Sequence, residues 1–297
     1  MQGIIVDTSI LLIDFSVFLQ PEHLRGVLEY NEQKLAAKRE QTEEEVRKRG
    51  VDLSAYLETL AGEIQAYYKV EADTQTEISA NNLKLNTLRS SLDKTSDQIQ
   101  KLNEEEQLLE MDETSYPMLL ENIQNIQPFL LLWGTCDSFI NQSESWLNKP
   151  FRLLDPEAMS EEVDTMWRTL HKSVKTFGDY PQPRKVAEAM KIKIDKFNKD
   201  MPLVQALGGA SMQPRHWDAI QEFVGKDVRP GQATTLKQML DQNLGSHFEK
   251  IEEVSVKASK EHALEKTLEK MQEDWADIVF NLLPYRDSVS YKIRFCI

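Results

Sequence analysis

Cysteine is almost absent from this 297-residue chain, which has only Cys136 and Cys296. Two cysteines cannot build a disulfide framework, and their scarcity fits a reducing compartment. Glycine and proline are sparse too, at 11 each, and they gather after residue 115. Strand signals are nearly missing as well, so the expectation is an all-α chain, an elongated helical bundle or rod. Positive charge is in deficit: 35 Lys+Arg stand against 49 Asp+Glu, a net of −14. That balance argues against gripping a phosphate backbone, so no nucleic-acid partner is expected. The apolar start "MQGIIVDTSILLIDFSVFLQ" lacks a basic leader, and Asp7 and Asp14 interrupt it. It reads as a short strand or buried segment rather than a signal peptide or membrane span. In the closing "FCI" the cysteine lies too near the end for prenylation. The expected place is the cytoplasm, with no membrane.

Chemical motifs are lacking in the same way. Gly225-Lys226 has neither the upstream glycine nor the following Ser or Thr of a phosphate cradle. "LGGA" follows no strand, so it is no dinucleotide fingerprint. The five histidines, at 23, 171, 216, 247 and 262, have no metal-ligand spacing with Cys or a second His. No Gly-x-Ser-x-Gly elbow occurs. In "MKIKIDKFNK" the lysines alternate with nearby acids at 188, 195 and 200, the pattern of a solvated helix. The expectation is no catalytic, cofactor-binding or metal residues, and no cofactor held by this chain.

The length allows one large domain or two ordinary ones. Residues 1–114 hold 23 Asp+Glu and 12 Lys+Arg, a net of −11, which leaves −3 for residues 115–297. This asymmetry suggests two parts, 1–114 and 115–297. In the first, alternating steps of four and three run from Leu53 to Leu109 through Leu57, Leu60, Ile64, Tyr67, Glu71, Thr74, Ile78, Asn81, Leu85, Leu88, Leu92, Thr95, Ile99, Leu102 and Glu106. Such a run makes a two-chain coiled coil or a long helix of an antiparallel bundle. As one straight helix it would be on the order of 85 Å long at ~1.5 Å per residue. Upstream, Glu43, Glu44 and Glu45 each precede a base by four residues, the favourable order on a helix face.

The second part is punctuated. Asp155-Pro156-Glu157 marks a helix start, with a capping acid and proline in the first turn. Val186, Met190, Ile194 and Phe197 share a face, and Pro202 stops that helix. Thr235 to Leu244 reads as a short helix closed by Gly245. Ser246 to Glu249 reads as a capping box for a helix running to about Leu283, with Ile251, Val254, Ala258, Leu264, Leu268, Met271, Trp275, Ile278 and Leu282 on one side. Between them stands "LGGASMQPRHWDAI". Pro214 suits the first turn of a helix ending at Gly225, with Trp217, Ile220 and Val224 on one face. Arg215 lies where the helix dipole disfavours a cation, which calls for a specific partner. The same field favours a neutral His216 as a hydrogen-bonding post, and Trp217 can bury its rings. No second catalytic group lies nearby, so the reading is a clasp between helices. Glu261 and Glu265 are the candidate acids for Arg215.

The order of several short motifs resembles the linker region of dynein heavy chains, the axonemal branch above all. They are "WLNKPF", "LLDPEAMSEEVDTMWRTLHKSVKTF", "KIKIDKFNKDMPLVQAL", "RHWDAI", "TTLKQML", "KASKEHALEKTLEKMQEDWADIVF" and "PYRD", covering roughly residues 115–287. Residues 1–114 resemble, more weakly, the last helical part of the tail. The family usually carries Leu-Arg-Asn-Pro-Gly before Arg-His-Trp, where this chain has "LGGASMQP". The resemblance implies a mechanical linker that couples an ATP-driven AAA+ ring to a tail, in minus-end-directed movement on microtubules. ATP and magnesium then belong to the ring, and this chain by itself should not hydrolyse ATP. The implied partners are the rest of the motor and its intermediate and light chains, with microtubules only indirectly. The implied place is the axoneme of a cilium. The chain reads as a truncated product that stops before the ring. The linker residues singled out are Arg215, His216 and Trp217, with Lys260, Glu261, Glu265 and Trp275 on the long helix that follows. Their expected role is to lock helix against helix.

Overall fold

A computed structural model describes the backbone of residues 8–276, 280–284 and 291–295, and the side chains of residues 24–276. Residues 1–7, Ile278 and Cys296 lie outside the described residues. Nine α-helices and one antiparallel strand pair are described. The chain divides into two compact units: Met1–Val70 with Ala80–Leu130, and Glu71–Ser79 with Leu131–Ile297. The expected boundary at residue 114 lies in the non-helical stretch before Pro117.

The first unit is built on α1 (Thr8–Ala66), α2 (Gln75–Leu108) and the beginning of α3 (Pro117–Asn148). The start that reads as a strand or buried segment is helical from Thr8 onward. The heptad run is not one helix. It breaks at a 3-10 turn, Tyr67–Lys69, and the chain reverses before Gln75. Arg39 donates to Leu109 O and pairs with Glu110, and Arg49 pairs with Glu105. These contacts run in opposite senses along α1 and α2, so the two helices are antiparallel. The seam register survives the break. Leu57, Leu60, Ile64 and Tyr67 of the first limb are buried, as are Ile78, Leu85, Leu88, Leu92, Thr95, Ile99, Leu102 and Glu106 of the second. Only Glu71 and Thr74, which fall in the reversal, are exposed.

α3 closes the bundle. Asn122 is buried and donates to Leu57 O at 2.9 Å, while Tyr67 and Tyr68 pack on Phe129. Glu106 is a buried carboxylate, but it is satisfied. It accepts from Thr114 N–H at 2.7 Å and Thr114 Oγ1–H at 2.6 Å, which pins the α2–α3 turn. Of the three expected i, i+4 pairs upstream, Glu43–Arg47 forms, whereas Arg49 leaves Glu45 for Glu105. Surface pairs of that kind contribute ~0.2–0.5 kcal/mol each, and each buried Leu or Ile ~1.5–3 kcal/mol. The seam, not the charges, holds this unit together.

In the second unit α4 (Pro156–Thr176) and α5 (Pro181–Asn198) form an antiparallel pair. Asp155 caps α4 as expected, accepting from Glu157 N–H and Ala158 N–H, both at 3.1 Å. Val163 and Leu170 of α4, and Val186, Met190 and Ile194 of α5, are buried. Trp167 donates its indole N–H to Asp195 at 2.6 Å. Pro202 does not stop α5, which ends at Asn198. It sits in the first turn of α6 (Met201–Gly208), where proline fits. Then come α7 (Pro214–Val224), α8 (Leu236–Leu240) and α9 (Phe248–Ala276). Their shared core joins Met201, Val204, Leu207, Trp217, Ile220 and Ile251.

Three boundaries differ from the sequence reading. α8 ends at Leu240 with Asp241 as its C-cap, and the chain enters the left-handed region at Asn243 (φ 60°) rather than at Gly245. Asparagine tolerates that region almost as glycine does. Ser246 lies inside a 3-10 turn, Leu244–His247, and its hydroxyl donates to Asn243 O instead of capping α9. α9 ends at Ala276, and a strand pair follows where helix was expected. β1 (Phe280–Pro284) pairs antiparallel with β2 (Tyr291–Phe295), Leu282 opposite Ile293. Tyr291, Ile293 and Phe295 alternate with Lys292 and Arg294, a period of two that marks a strand.

Candidate functional site: a clasp between two helices

α7 is short and well bounded. Pro214 occupies its first turn, and Gly225 closes it with φ 78°, a conformation that favours glycine. Trp217 and Ile220 face the core and are buried, while Val224 is half-buried. Burying two such side chains contributes ~1.5–3 kcal/mol each, which is what seats α7. The loop before it depends on a small residue. A Cβ on Gly208 would lie 2.4 Å from Pro156 Cγ, so α6 meets the start of α4 only because that position is glycine. Of the two glycines that depart from the family pattern, Gly208 thus has a packing reason. Ser211 in the same loop reaches Ser259 of α9, Oγ to Oγ, at 3.4 Å.

Charge is concentrated where α7 meets α9. Arg215 Nε donates to Glu261 Oε2 at 3.1 Å, and Nη2 reaches Glu261 Oε2 and Glu265 Oε1, each at 2.9 Å. His216 is 4% exposed and lies 3.0 Å from Glu261 Oε2 through Nε2. Gln213, just ahead of α7, donates its side-chain amide to Glu265 Oε2 at 2.9 Å. A cation in the first turn of a helix, which the dipole disfavours, is here answered by two carboxylates. The His216 hydrogen bond, and then that of Arg215, hold the Glu261 carboxyl below its ordinary pKa. Arg215 is exposed and Glu261 half-buried, so solvent screens these bonds and they fix direction more than they add stability.

The structure brings together Arg215, His216, Glu261 and Glu265, with Trp217 beneath them in the core. It does not bring Lys260 or Trp275 to the same place. Lys260 is exposed, and Trp275 is 54% exposed, ten residues beyond Glu265 or ~15 Å along the helix axis. Leu264, Leu268 and Met271 are also exposed, so the far half of α9 shows its expected apolar side to solvent. Sequence reasoning missed Gln213, Ser211 and Ser259. Gln213 had one signal, its place immediately before a helix-starting proline. Arg229 was also missed; it pairs with Asp218 and donates to Pro214 O at 3.2 Å, bracing the first turn of α7 from the other side.

Nothing in this arrangement is poised for bond making. The acids are engaged by donors, and the Cys136 thiol is buried and pushed up to about 12 by that burial. Among the described residues no cluster of His, Cys, Asp and Glu could hold a metal ion. No described helix is long and apolar enough to cross a membrane. The fold and the site define a predominantly helical module in which one short helix is clasped to a long one.

Residues 119–295 match the family described as dynein heavy chain, N-terminal region 2. Human dynein axonemal heavy chain 3 is 37% identical over 268 residues, 90% of this chain and 6% of that protein. Mouse dynein axonemal heavy chain 1 is 35% identical over 192 residues, 65% of this chain and 4% of its own length. Rat dynein axonemal heavy chain 12 is 26% identical over 303 residues, 97% of this chain and 10% of its own. The chain belongs to the dynein heavy chain family and corresponds to part of its N-terminal region. It spans about a tenth or less of the curated relatives it matches.

Proposed function

We propose that this chain is a mechanical element of an axonemal dynein heavy chain: the end of the tail, residues 1–114, followed by the first part of the linker, residues 115–297. Its work is to transmit the stroke of an AAA+ ATPase ring to the tail during minus-end-directed movement on ciliary microtubules. The ring, with its ATP and magnesium, lies elsewhere in such a motor, and so do the intermediate and light chains on the tail. The observation that carries this reading is the Arg215 fork, which ties α7 to Glu261 and Glu265 of α9 within the matched region. A lever must move as one piece, and helices joined only by apolar contact slide more easily than helices joined by directed, charge-assisted hydrogen bonds.

The test is a graft of this chain in place of the matching region of a complete axonemal heavy chain. The graft should glide microtubules. With Arg215→Met the ATP turnover should persist while gliding slows several-fold. Equal gliding with and without the substitution would sink the reading. Catalysis by the chain itself has no support in its residues, and purified chain turning over ATP would overturn that.

A further inference from the structure

Each carboxylate that meets Arg215 is also held by a second donor. Glu261 Oε2 is 3.0 Å from His216 Nε2, and Glu265 Oε2 accepts from the Gln213 side-chain amide at 2.9 Å. The same two residues close the first turn of α7, because the Gln213 backbone N–H donates to His216 Nδ1 at 3.1 Å. A backbone amide can only donate, so Nδ1 must accept and the ring proton must sit on Nε2, aimed at Glu261. The reciprocal reach of a third-position side chain to the N-cap amide is the capping-box device, here built with histidine. With the ring 4% exposed, solvent has little room to replace either bond.

We infer that Gln213 and His216 are positioning residues that merge the N-cap of α7 with the clasp to α9. His216 aims Glu261 at Arg215, and Gln213 aims Glu265. The cap and the ion pairs share side chains, so α9 cannot part from α7 without also loosening the first turn of α7. The joint then opens as a unit instead of by separate slips. This deepens the lever reading and rests on it for its meaning in a motor, but not for its measurement.

The division of labour supplies the test. In the 297-residue chain, double-mutant cycles by chemical denaturation would pair Arg215→Met with Glu261→Gln, and Arg215→Met with Glu265→Gln. In a His216→Phe background the Arg215–Glu261 coupling should fall at least about threefold as an equilibrium constant, while Arg215–Glu265 stays within about twofold. Gln213→Ala should give the reverse pattern. Equal loss at both acids, or none, overturns the inference, since a ring that merely fills space has no reason to choose between them. Selective nitrogen-15 labelling of histidine in the unsubstituted chain needs no variant to fold. His216 should show the Nε2–H tautomer at pH 8, and an Nδ1–H ring overturns the inference outright. The crossed pattern together with a graft that fails to move microtubules would keep the latch and reject the lever.

Discussion

Arg215 shows how much a single position can announce. A cation in the first turn of a helix is unfavourable by itself, so its presence asks for an acid, and the helix-forming glutamates at 261 and 265 are the acids it finds. The sequence could not say that it finds both, nor that His216 and Gln213 hold them. Those bonds join residues 45 to 52 positions apart, and only folding brings them within reach. The depressed Glu261 carboxyl makes the joint sensitive to acid. A carboxylate whose folded pKa lies below its unfolded one adds stability above the unfolded value. It loses that stability as pH falls through the folded value. The denaturation midpoint of the chain should therefore drop as pH goes below the ordinary carboxylate range. Glu261→Gln should be less stable at neutral pH and show a shallower drop, as read by urea titration at pH 7 and pH 3.5.

At the scale of elements, local signals were reliable where the chemistry is local. Asp155, Pro156 and Glu157 predict the start of α4, and the cap forms with two amides. Asp155→Ala should cost ~0.5–2 kcal/mol, measured by denaturant unfolding with helical circular dichroism as the probe. Signals failed where competing devices exist. Gly245 was a sound closing residue for α8, but Asn243 adopts the left-handed turn two residues earlier. Ser246 carried a capping pattern, but a 3-10 turn runs straight into α9 and leaves no free helix start to cap. The strand pair after α9 was hidden because five-residue strands give a weak signal beside a 29-residue helix. The longest helical motif of the resemblance, which ends in "ADIVF", runs across that junction.

For the whole molecule the open question was whether the heptads at 53–109 join two chains or fold back within one. The seam residues on both limbs are buried inside a single chain, which accounts for their apolar spacing without a partner. Leu92 is fully buried in that seam. Leu92→Asp should melt the helical signal of the first unit even in dilute solution, and the helicity of the unsubstituted chain should not change with concentration. Sedimentation equilibrium over a hundredfold range of concentration, about 2.8 kcal/mol of association free energy, is enough to check it. Helicity that rises with concentration, together with a growing mass, would favour the stand-alone coiled-coil scaffold.

The sequence by itself determined that this chain is mostly helical, and which face of each long helix is apolar. Those properties follow from composition and from the 3.6-residue period, which are local. It also determined the family, through the order of motifs such as "RHWDAI" and "TTLKQML". Only the tertiary structure decided that the heptad run turns back on itself at Tyr67–Lys69. It alone decided that Arg215, His216 and Gln213 share two glutamates of α9. A reversal preserves the heptad phase, so periodicity cannot reveal it. A clasp joins side chains that are distant in the chain, and no local pattern encodes which of many equally spaced acids will stand opposite one arginine.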